Sequence, residues 1–313
     1  IWNSGTDTNL LIYIFSTIIP AIFLPNLLRN GLPESFILAG RQLAWVFIVG
    51  LVAAAVTGRL SITGVESGER FSLDNLNPIS AGGTAGILML MTVSGGFRCN
   101  FIRKFARFAQ IFLLFSILLL TQSRGAWLGT MGGAAVLYLY SGARDKVRIT
   151  TLTLLCVVTF AYLLPLINPE LTQKISEAFN APFNYDINNQ HDTTALRILQ
   201  YRDGLHVFWE SPLFGRRIFS TVLYLYPHNV FIQSLMSVGL FGTLFLLIHF
   251  GLAAHAAASL PRQSRLSSVH LMGALFAVSF LQVQFSGGVE TESALWITSA
   301  SLISLRARKG KIS

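Results

Sequence analysis

The sequence predicts an all-α fold: a polytopic transmembrane helical bundle. Apolar residues make up 52% of the 313 residues, charged residues make up only 12%, and the mean hydropathy is +0.58. A soluble domain has about 25% charged residues. The composition therefore excludes the ordinary soluble, fibrous and disordered classes. The apolar residues also form runs close to the roughly 20 residues that a membrane-spanning helix needs.

Nine apolar runs predict nine spans. The third, fifth and ninth runs are short, and we expect some of them to pack inside the bundle rather than face lipid. Ser123-Arg124-Gly125 predicts a tight turn between the fourth and fifth spans, and glycines 125, 129 and 133 are typical of close helix packing. The predicted spans are 8–28, 37–57, 80–95, 106–122, 126–141, 149–166, 230–251, 269–286 and 293–306.

The basic residues predict the orientation. Most of the 23 Lys and Arg residues fall in the loops of one side, which is therefore the cytosolic side. The net charge of +9 is explained by these loops rather than by nucleic-acid binding. An odd number of spans places Ile1 outside and Ser313 inside. Because polytopic chains often begin in the cytosol, we expect further spans before Ile1.

Residues 1–313 are predicted to form a single integral membrane domain with two substantial outer segments, 58–80 and 167–229. A loop as long as the second is usually functional. It contains a helix signature from Thr193 to Trp209, which Pro212 ends. On that helix one stripe is formed by Arg197, Tyr201, Gly204 and Phe208.

The sequence lacks the motifs of several common enzyme classes. The sequence contains no Walker A, G-x-S-x-G or H-E-x-x-H motif. Its two cysteines are too few for a disulfide framework or a cysteine-rich zinc site. The predicted spans hold almost no carboxylates, which disfavours an ion-coupled transporter.

Arginines at the outer face are the first candidates for a binding site. Arg124 stands between two apolar stretches, where it either snorkels to the interface or grips an anion with its planar guanidinium. Arg197 is a second candidate, against the alternative of a salt bridge or a solvated face. Arg216 and Arg217 are weaker, because an exposed pair in a turn more often faces water or lipid headgroups.

His228 is the sharpest candidate. It precedes a long uncharged run, and Asn229 can cap the helix that begins there. The helix N-terminus attracts anions and disfavours an imidazolium. The sequence therefore predicts a neutral base with a pKa near or below about 6.5. The alternative is a capping or aromatic-belt histidine. The other histidines lack this placement: 191 and 206 in the loop, and 249, 255 and 270 near the cytosolic face.

These motifs together resemble the O-antigen ligase family of bacterial glycosyltransferases. The similarity runs from roughly residue 60 to 250. The matching segments are Glu66–Pro78 with its Asn77-Pro78, Ser123-Arg124-Gly125-Ala126-Trp127-Leu128, Arg197 to Trp209 followed by Pro212-Leu213-Phe214-Gly215, and Pro227-His228-Asn229 leading into Gln233, Gly239, Leu240 and Gly242.

The resemblance implies a GT-C-like glycosyltransferase of the bacterial inner membrane, commonly with twelve spans in the full chain and a periplasmic site. It implies inverting transfer of a glycan from undecaprenyl diphosphate to a sugar hydroxyl of lipid A–core, with neither metal nor other cofactor. Arginines matching Arg124 and Arg197 bind the diphosphate, and a histidine matching His228 is the catalytic base. We add Tyr201 and Asn229 as substrate-binding candidates beside them. The expected partners are the lipid-linked glycan, the acceptor and membrane lipid, without nucleic acid.

The acceptor remains open at this point. The superfamily also includes O-antigen polymerases and protein O-oligosaccharyltransferases, which share much of the pattern. Two alternatives come from other classes. One is a lipid or glycan transporter, in which Arg124 and Arg197 line a path, and the other is a non-catalytic membrane scaffold.

Overall fold

A computed structural model shows a bundle of α-helices with one β-hairpin. The helices are α1 (Glu34–Val56), α2 (Pro78–Ser94), α3 (Phe101–Leu120), α4 (Arg124–Tyr140), α5 (Ala143–Ile167), α6 (Pro169–Asn180), α7 (Thr193–Glu210), α8 (Val230–Ala258), α9 (Ser268–Gln282) and α10 (Ser293–Lys309). The strands are β1 (Leu60–Val65) and β2 (Gly68–Leu73). The structure describes residues 23, 34–57, 60–65, 68–73, 78–94, 100–167, 169–180, 193–217, 227–259, 268–285 and 293–309.

The helices confirm the predicted fold class. The predicted spans from 37–57 onward each coincide with a helix, namely α1 to α5 and α8 to α10. The first predicted span, 8–28, lies outside the described residues apart from Phe23. Three described helices are long and apolar enough to cross a membrane: Glu34–Val56, Asp145–Leu163 and Val230–Ala258. Helices of this length and composition are typical of an integral membrane protein.

The short helices α2 and α4 pack inside the bundle, because small residues let the backbones approach closely. A Cβ atom on Gly129 of α4 would lie 2.8 Å from the Val278 carbonyl oxygen of α9. One on Gly133 would lie 3.0 Å from the Ala274 carbonyl oxygen. The packing predicted from the glycine spacing is thus confirmed at these two positions. On α2, Ala81 and Ala85 are buried in the same interior.

The bundle has two distinct ends. At the first, which we call the basic end, Arg148 Nη2 donates a hydrogen bond of 3.0 Å to the Val93 carbonyl. There the Tyr140 hydroxyl also donates one of 2.9 Å to the Ala258 carbonyl. The other, the hairpin end, holds the β-hairpin and residues 121–123 and 227–229. The lysines and arginines at the start of α3 and α5 lie at the basic end, as the charge pattern predicts.

The β-hairpin lies in the segment that the sequence marked only as an outer loop, 58–80. β1 and β2 pair antiparallel, with Leu60 opposite Leu73 and Val65 opposite Gly68. Within the segment that carried the family resemblance, Glu66 and Asn77 lie outside the described residues. The hairpin connects the end of α1 to the start of α2.

Helix α8 is broken at Gly239, whose φ of 65° and ψ of −165° are not helical. The segment after α7 docks into this break through its backbone. The Arg216 amide donates a hydrogen bond of 2.8 Å to the Met236 carbonyl. The Leu240 amide donates one of 2.8 Å to the Pro212 carbonyl. Backbone groups at membrane level must be satisfied within the protein. The docked segment therefore replaces helical hydrogen bonds that the break removes.

Candidate functional site

His228, the proposed centre of the site, has an unusual backbone conformation. Its φ is +45°, and among the described residues only Gln122, at +48°, is another non-glycine with positive φ. Such a conformation costs of order 1–3 kcal/mol and persists only where the surroundings enforce it. Pro227 on one side of it is buried, and Asn229 on the other caps α8. The imidazole is thus fixed at the hairpin end, just before the first turn of α8.

Asn229 is the N-cap that the sequence predicted. Its Oδ1 accepts hydrogen bonds from the amides of Phe231 at 3.1 Å and Ile232 at 3.2 Å. A cap of this kind stabilises a helix by about 1 kcal/mol. Because the cap uses the amide oxygen, a contact with substrate would come from the amide nitrogen. Its role in substrate binding stays a prediction.

Helix α7 lies against the first turns of α8, with Gly204 at the contact. A Cβ atom on Gly204 would lie 2.7 Å from Ile232 Cγ2 and 3.8 Å from Pro227 Cβ. The predicted helix from Thr193 to Trp209 is confirmed, with one residue added at its end. The stripe that includes Gly204 therefore faces α8. Its upstream members, Arg197 and Tyr201, are carried towards His228.

The electrostatics of His228 reflect this packing. Burial lowers the pKa of the His228 imidazole, and the positive charge of Arg197 lowers it further. The direction agrees with the sequence analysis, and burial and Arg197 are causes that the sequence did not reveal. Burial raises the pKa of the Tyr201 phenol, and Arg197 partly offsets that rise. Arg197 is therefore close enough to act on both groups.

Arg124 lies in a second turn at the hairpin end. The turn is at Thr121–Ser123, slightly before the position predicted, and Arg124 is the first residue of α4. The Ser123 side chain accepts a hydrogen bond of 3.4 Å from the Ala126 amide. Trp127 Nε1 donates a hydrogen bond of 2.7 Å to the Leu118 carbonyl, and this bond connects the start of α4 to the end of α3. Half-buried Arg124 thus stands on a fixed helix N-terminus.

Neighbouring helices connect the two turns. A Cβ atom on Gly83 of α2 would lie 2.7 Å from the side-chain amide of Gln282, at the end of α9. A Cβ atom on Gly82 would lie 2.9 Å from the Ala126 Cβ atom of α4. The rings of Phe231 and Phe280 lie 6.1 Å apart and join α8 to α9. Arg124 is therefore at the same end of the bundle as the Arg197–His228 pair.

The weaker candidates have other partners. Arg216 Nη1 lies 2.7 Å from Glu210 Oε2 and is more than half exposed. His206 Nδ1 lies 3.6 Å from the other oxygen of the same carboxylate and is largely exposed. His249 Nε2 is 2.8 Å from Ser299 Oγ, and buried His270 stacks on Tyr140. These contacts give His249 and His270 structural roles within the bundle. His191 lies outside the described residues.

The backbone conformation of Gln122, near Arg124, is a feature that sequence reasoning missed. Gln122 lies two residues before Arg124 and shares the left-handed backbone of His228. Nothing in the sequence marks it except its place in the turn. Within the described ranges, no three His, Cys, Asp or Glu side chains cluster as a metal site would require.

Residues 109–247 match the family model described as O-antigen ligase. Residues 109–247 are therefore similar to the O-antigen ligase family, over 139 of the 313 residues. The predicted resemblance is confirmed, and the match includes all five candidate residues: Arg124, Arg197, Tyr201, His228 and Asn229. The family supports a glycosyltransferase-type enzyme with a role in the transfer of lipid-linked glycans. A comparison with curated proteins finds no match.

We predict that Arg197→Gln raises the pKa of His228. The substitution removes the positive charge that lowers this pKa, while burial keeps it below the ordinary value. Only a neutral imidazole reacts with diethyl pyrocarbonate, so the modification of His228 followed by mass spectrometry across pH reports the titration. Arg202→Gln, an exposed arginine on another face of α7, is the matched control. Identical titrations in wild type and Arg197→Gln would show that the two residues do not interact.

Proposed function

We propose that the protein transfers a glycan, the O-antigen, from undecaprenyl diphosphate to a sugar hydroxyl of lipid A–core. The observation that supports this most strongly is His228, a half-buried histidine in a strained backbone conformation beside Arg197 at the mouth of a membrane bundle. Strained residues cluster at functional sites. A histidine with a lowered pKa is neutral, and therefore available as a base, at physiological pH.

The proposed reaction begins with His228, which accepts the proton of the acceptor hydroxyl. The hydroxyl oxygen attacks the anomeric carbon of the first sugar of the donor from the face opposite the diphosphate. The bond between this carbon and the diphosphate oxygen breaks, and its electron pair leaves with undecaprenyl diphosphate. Attack from the opposite face inverts the configuration at the anomeric carbon. The histidine then releases its proton to water.

Arg124 and Arg197 are proposed to bind the diphosphate. Negative charge grows on the leaving group in the transition state, and fixed guanidinium groups at a low-dielectric mouth stabilise it. The fork of each guanidinium matches a pair of phosphate oxygens. In this proposal the two arginines do the work of a Lewis acid, so the reaction needs no metal or cofactor. Tyr201 and Asn229 line the site as further substrate-binding groups.

We place the hairpin end on the periplasmic side of the bacterial inner membrane. The supporting observation is the basic end, where arginines such as Arg148 and Arg306 hydrogen-bond to neighbouring helices. Basic residues mark the cytosolic ends of spans. Residues 1–313 then form one integral membrane domain, with 58–80 and 167–229 as outer loops, the second of which carries most of the site. The lipid tail of the donor lies in the bilayer beside the helices.

The direct test uses purified protein in detergent or nanodiscs with glycan on undecaprenyl diphosphate. One reaction receives lipid A–core, a second receives another lipid-linked glycan, and a third receives an acceptor protein. We expect a new covalent product with lipid A–core. A product only with the second acceptor would identify a polymerase, and a product only with the third a protein O-oligosaccharyltransferase. No covalent product with any acceptor would contradict the enzyme proposal.

We predict that His228→Ala lowers the transfer rate by about 10²–10⁴-fold, the usual contribution of a general base. Binding of the diphosphate lipid should change little, because the arginines hold it. The measurements are single-turnover transfer and equilibrium binding of undecaprenyl diphosphate. His206→Ala is the control, since that histidine is largely exposed and close to Glu210. A folded His228→Ala protein with a rate within a few-fold of wild type would remove His228 as the base.

Arg124→Lys and Arg197→Lys should each lose most of the activity while the protein still accumulates in the membrane. Lysine keeps the charge but not the bidentate fork. Arg216→Lys is the matched control, because Arg216 is exposed and paired with Glu210, and it should have a milder effect. The measurement is transfer activity per amount of membrane-inserted protein. Full activity in either lysine variant would indicate an arginine that only snorkels.

A further inference from the structure

The break in α8 brings two glycine backbones into direct contact. Gly215, after α7, has φ of +70°, and Gly239, inside α8, has φ of +65°. A Cβ atom on Gly215 would lie 2.5 Å from the Val238 amide nitrogen. One on Gly239 would lie 2.5 Å from the Gly215 amide nitrogen. Neither position has room for a side chain, and both backbone conformations favour glycine.

Hydrogen bonds fix this contact from both sides. The Met236 carbonyl accepts from the amides of Arg216 at 2.8 Å and Arg217 at 3.1 Å. In the other direction, the Leu240 amide donates a hydrogen bond of 2.8 Å to the Pro212 carbonyl. The rings of Phe214 and Phe241 stack 5.6 Å apart at an angle of 25°. We call residues 212–217 with 236–241 the glycine lock.

The glycine lock lies at the level where α8 meets the membrane surface. The break divides the 29 residues of α8 into a short part before Gly239 and a longer part after it, and the hydrocarbon core is about 30 Å thick. The part from Gly239 to Ala258 is alone about 30 Å long. Around the lock, Trp209 is 73% and Phe214 is 72% exposed, as expected for an interfacial aromatic belt. The turns of α8 before the break then stand above the bilayer, with His228 at their start.

Two contacts therefore determine how α7 lies along α8. The first is the approach of Gly204 to Ile232, and the second is the glycine lock, which follows α7 directly. The first contact also includes Met236 and Pro227 and holds the middle of α7 on the first turns of α8. The second contact fixes its other end. Arg197 and Tyr201 on α7 are thereby held at one position relative to His228.

We propose that Gly215 and Gly239 are positioning residues, which hold Arg197 against His228 by locking the segment after α7 into the break of α8. The proposal rests on the proposed function for its kinetic readout. It does not depend on that function for its structural readout, the titration of His228. Displacement of a catalytic group by about 1 Å can cost about 10²-fold in rate. The glycines thus contribute to catalysis without touching substrate.

The test compares Gly215→Ala and Gly239→Ala with Gly251→Ala. Gly251 also lies in α8, but a Cβ atom there would meet nothing within 4 Å, so this control has the same substitution in the same helix. We expect kcat/KM to fall by roughly 10–100-fold in the two lock variants, because displacement of Arg197 weakens its hold on the donor and on the leaving group. We also expect the titration of His228 by diethyl pyrocarbonate to shift to higher pH as Arg197 moves away. The control should match wild type in both measurements.

Phe214→Ala provides a milder variant if the glycine variants do not accumulate. It removes only the exposed ring stacked on Phe241, so folding should be retained. A smaller shift of the His228 titration in the same direction is expected. Folded lock variants with a wild-type kcat/KM and a wild-type titration would overturn the proposal, as would an unchanged titration in Phe214→Ala where only that variant folds. If wild-type protein transfers no glycan, the proposed function fails, but the titrations still test the lock.

Discussion

The absence of a side chain at Gly204 lets α7 lie directly on the first turns of α8, and the candidate site depends on this contact. Ile232 Cγ2 would lie 2.7 Å from a Cβ atom at that position. The approach carries Arg197 and Tyr201 to His228, where burial and a neighbouring guanidinium keep the imidazole neutral. A left-handed backbone at His228 costs of order 1–3 kcal/mol. The Asn229 cap, which contributes about 1 kcal/mol, and the packing around Pro227 offset much of that cost.

The same use of small residues organises the bundle that supports the site. Gly129 and Gly133 let α4 pack on α9, and Gly82 and Gly83 let α2 pack on both. These contacts hold the turn of Arg124 at the same end as the Arg197–His228 pair. A membrane bundle gains little from burying apolar surface that lipid would cover equally well, so close backbone packing supplies much of its stability. The geometry of the site is therefore a consequence of where the glycines lie.

Much of this architecture could be predicted from the sequence, because a membrane imposes strong rules on helices. Apolar runs predict helices α1 to α5 and α8 to α10, and a helix signature predicts α7, whereas α6 and the packing of the Gly204 stripe on α8 were not predicted. The cap at Asn229 followed from its place before an apolar run. The break at Gly239 could not be predicted, since it interrupts no hydrophobic pattern and depends on a segment docked from elsewhere in the chain. The left-handed backbones of Gln122 and His228 likewise could not be predicted, because neither residue is a glycine that would mark such a conformation.

The central claim, that the approach of α7 to α8 creates the active pair, is tested most directly by filling and then reopening the contact at Gly204. Gly204→Val places a branched side chain against Ile232 and should push Arg197 away from His228. We expect glycan transfer to fall by about 10²-fold in a protein that still folds. Ile232→Ala added to Gly204→Val makes room for the new side chain and should restore much of the rate. Wild-type transfer by folded Gly204→Val, or a loss that Ile232→Ala does not relieve, would contradict the account.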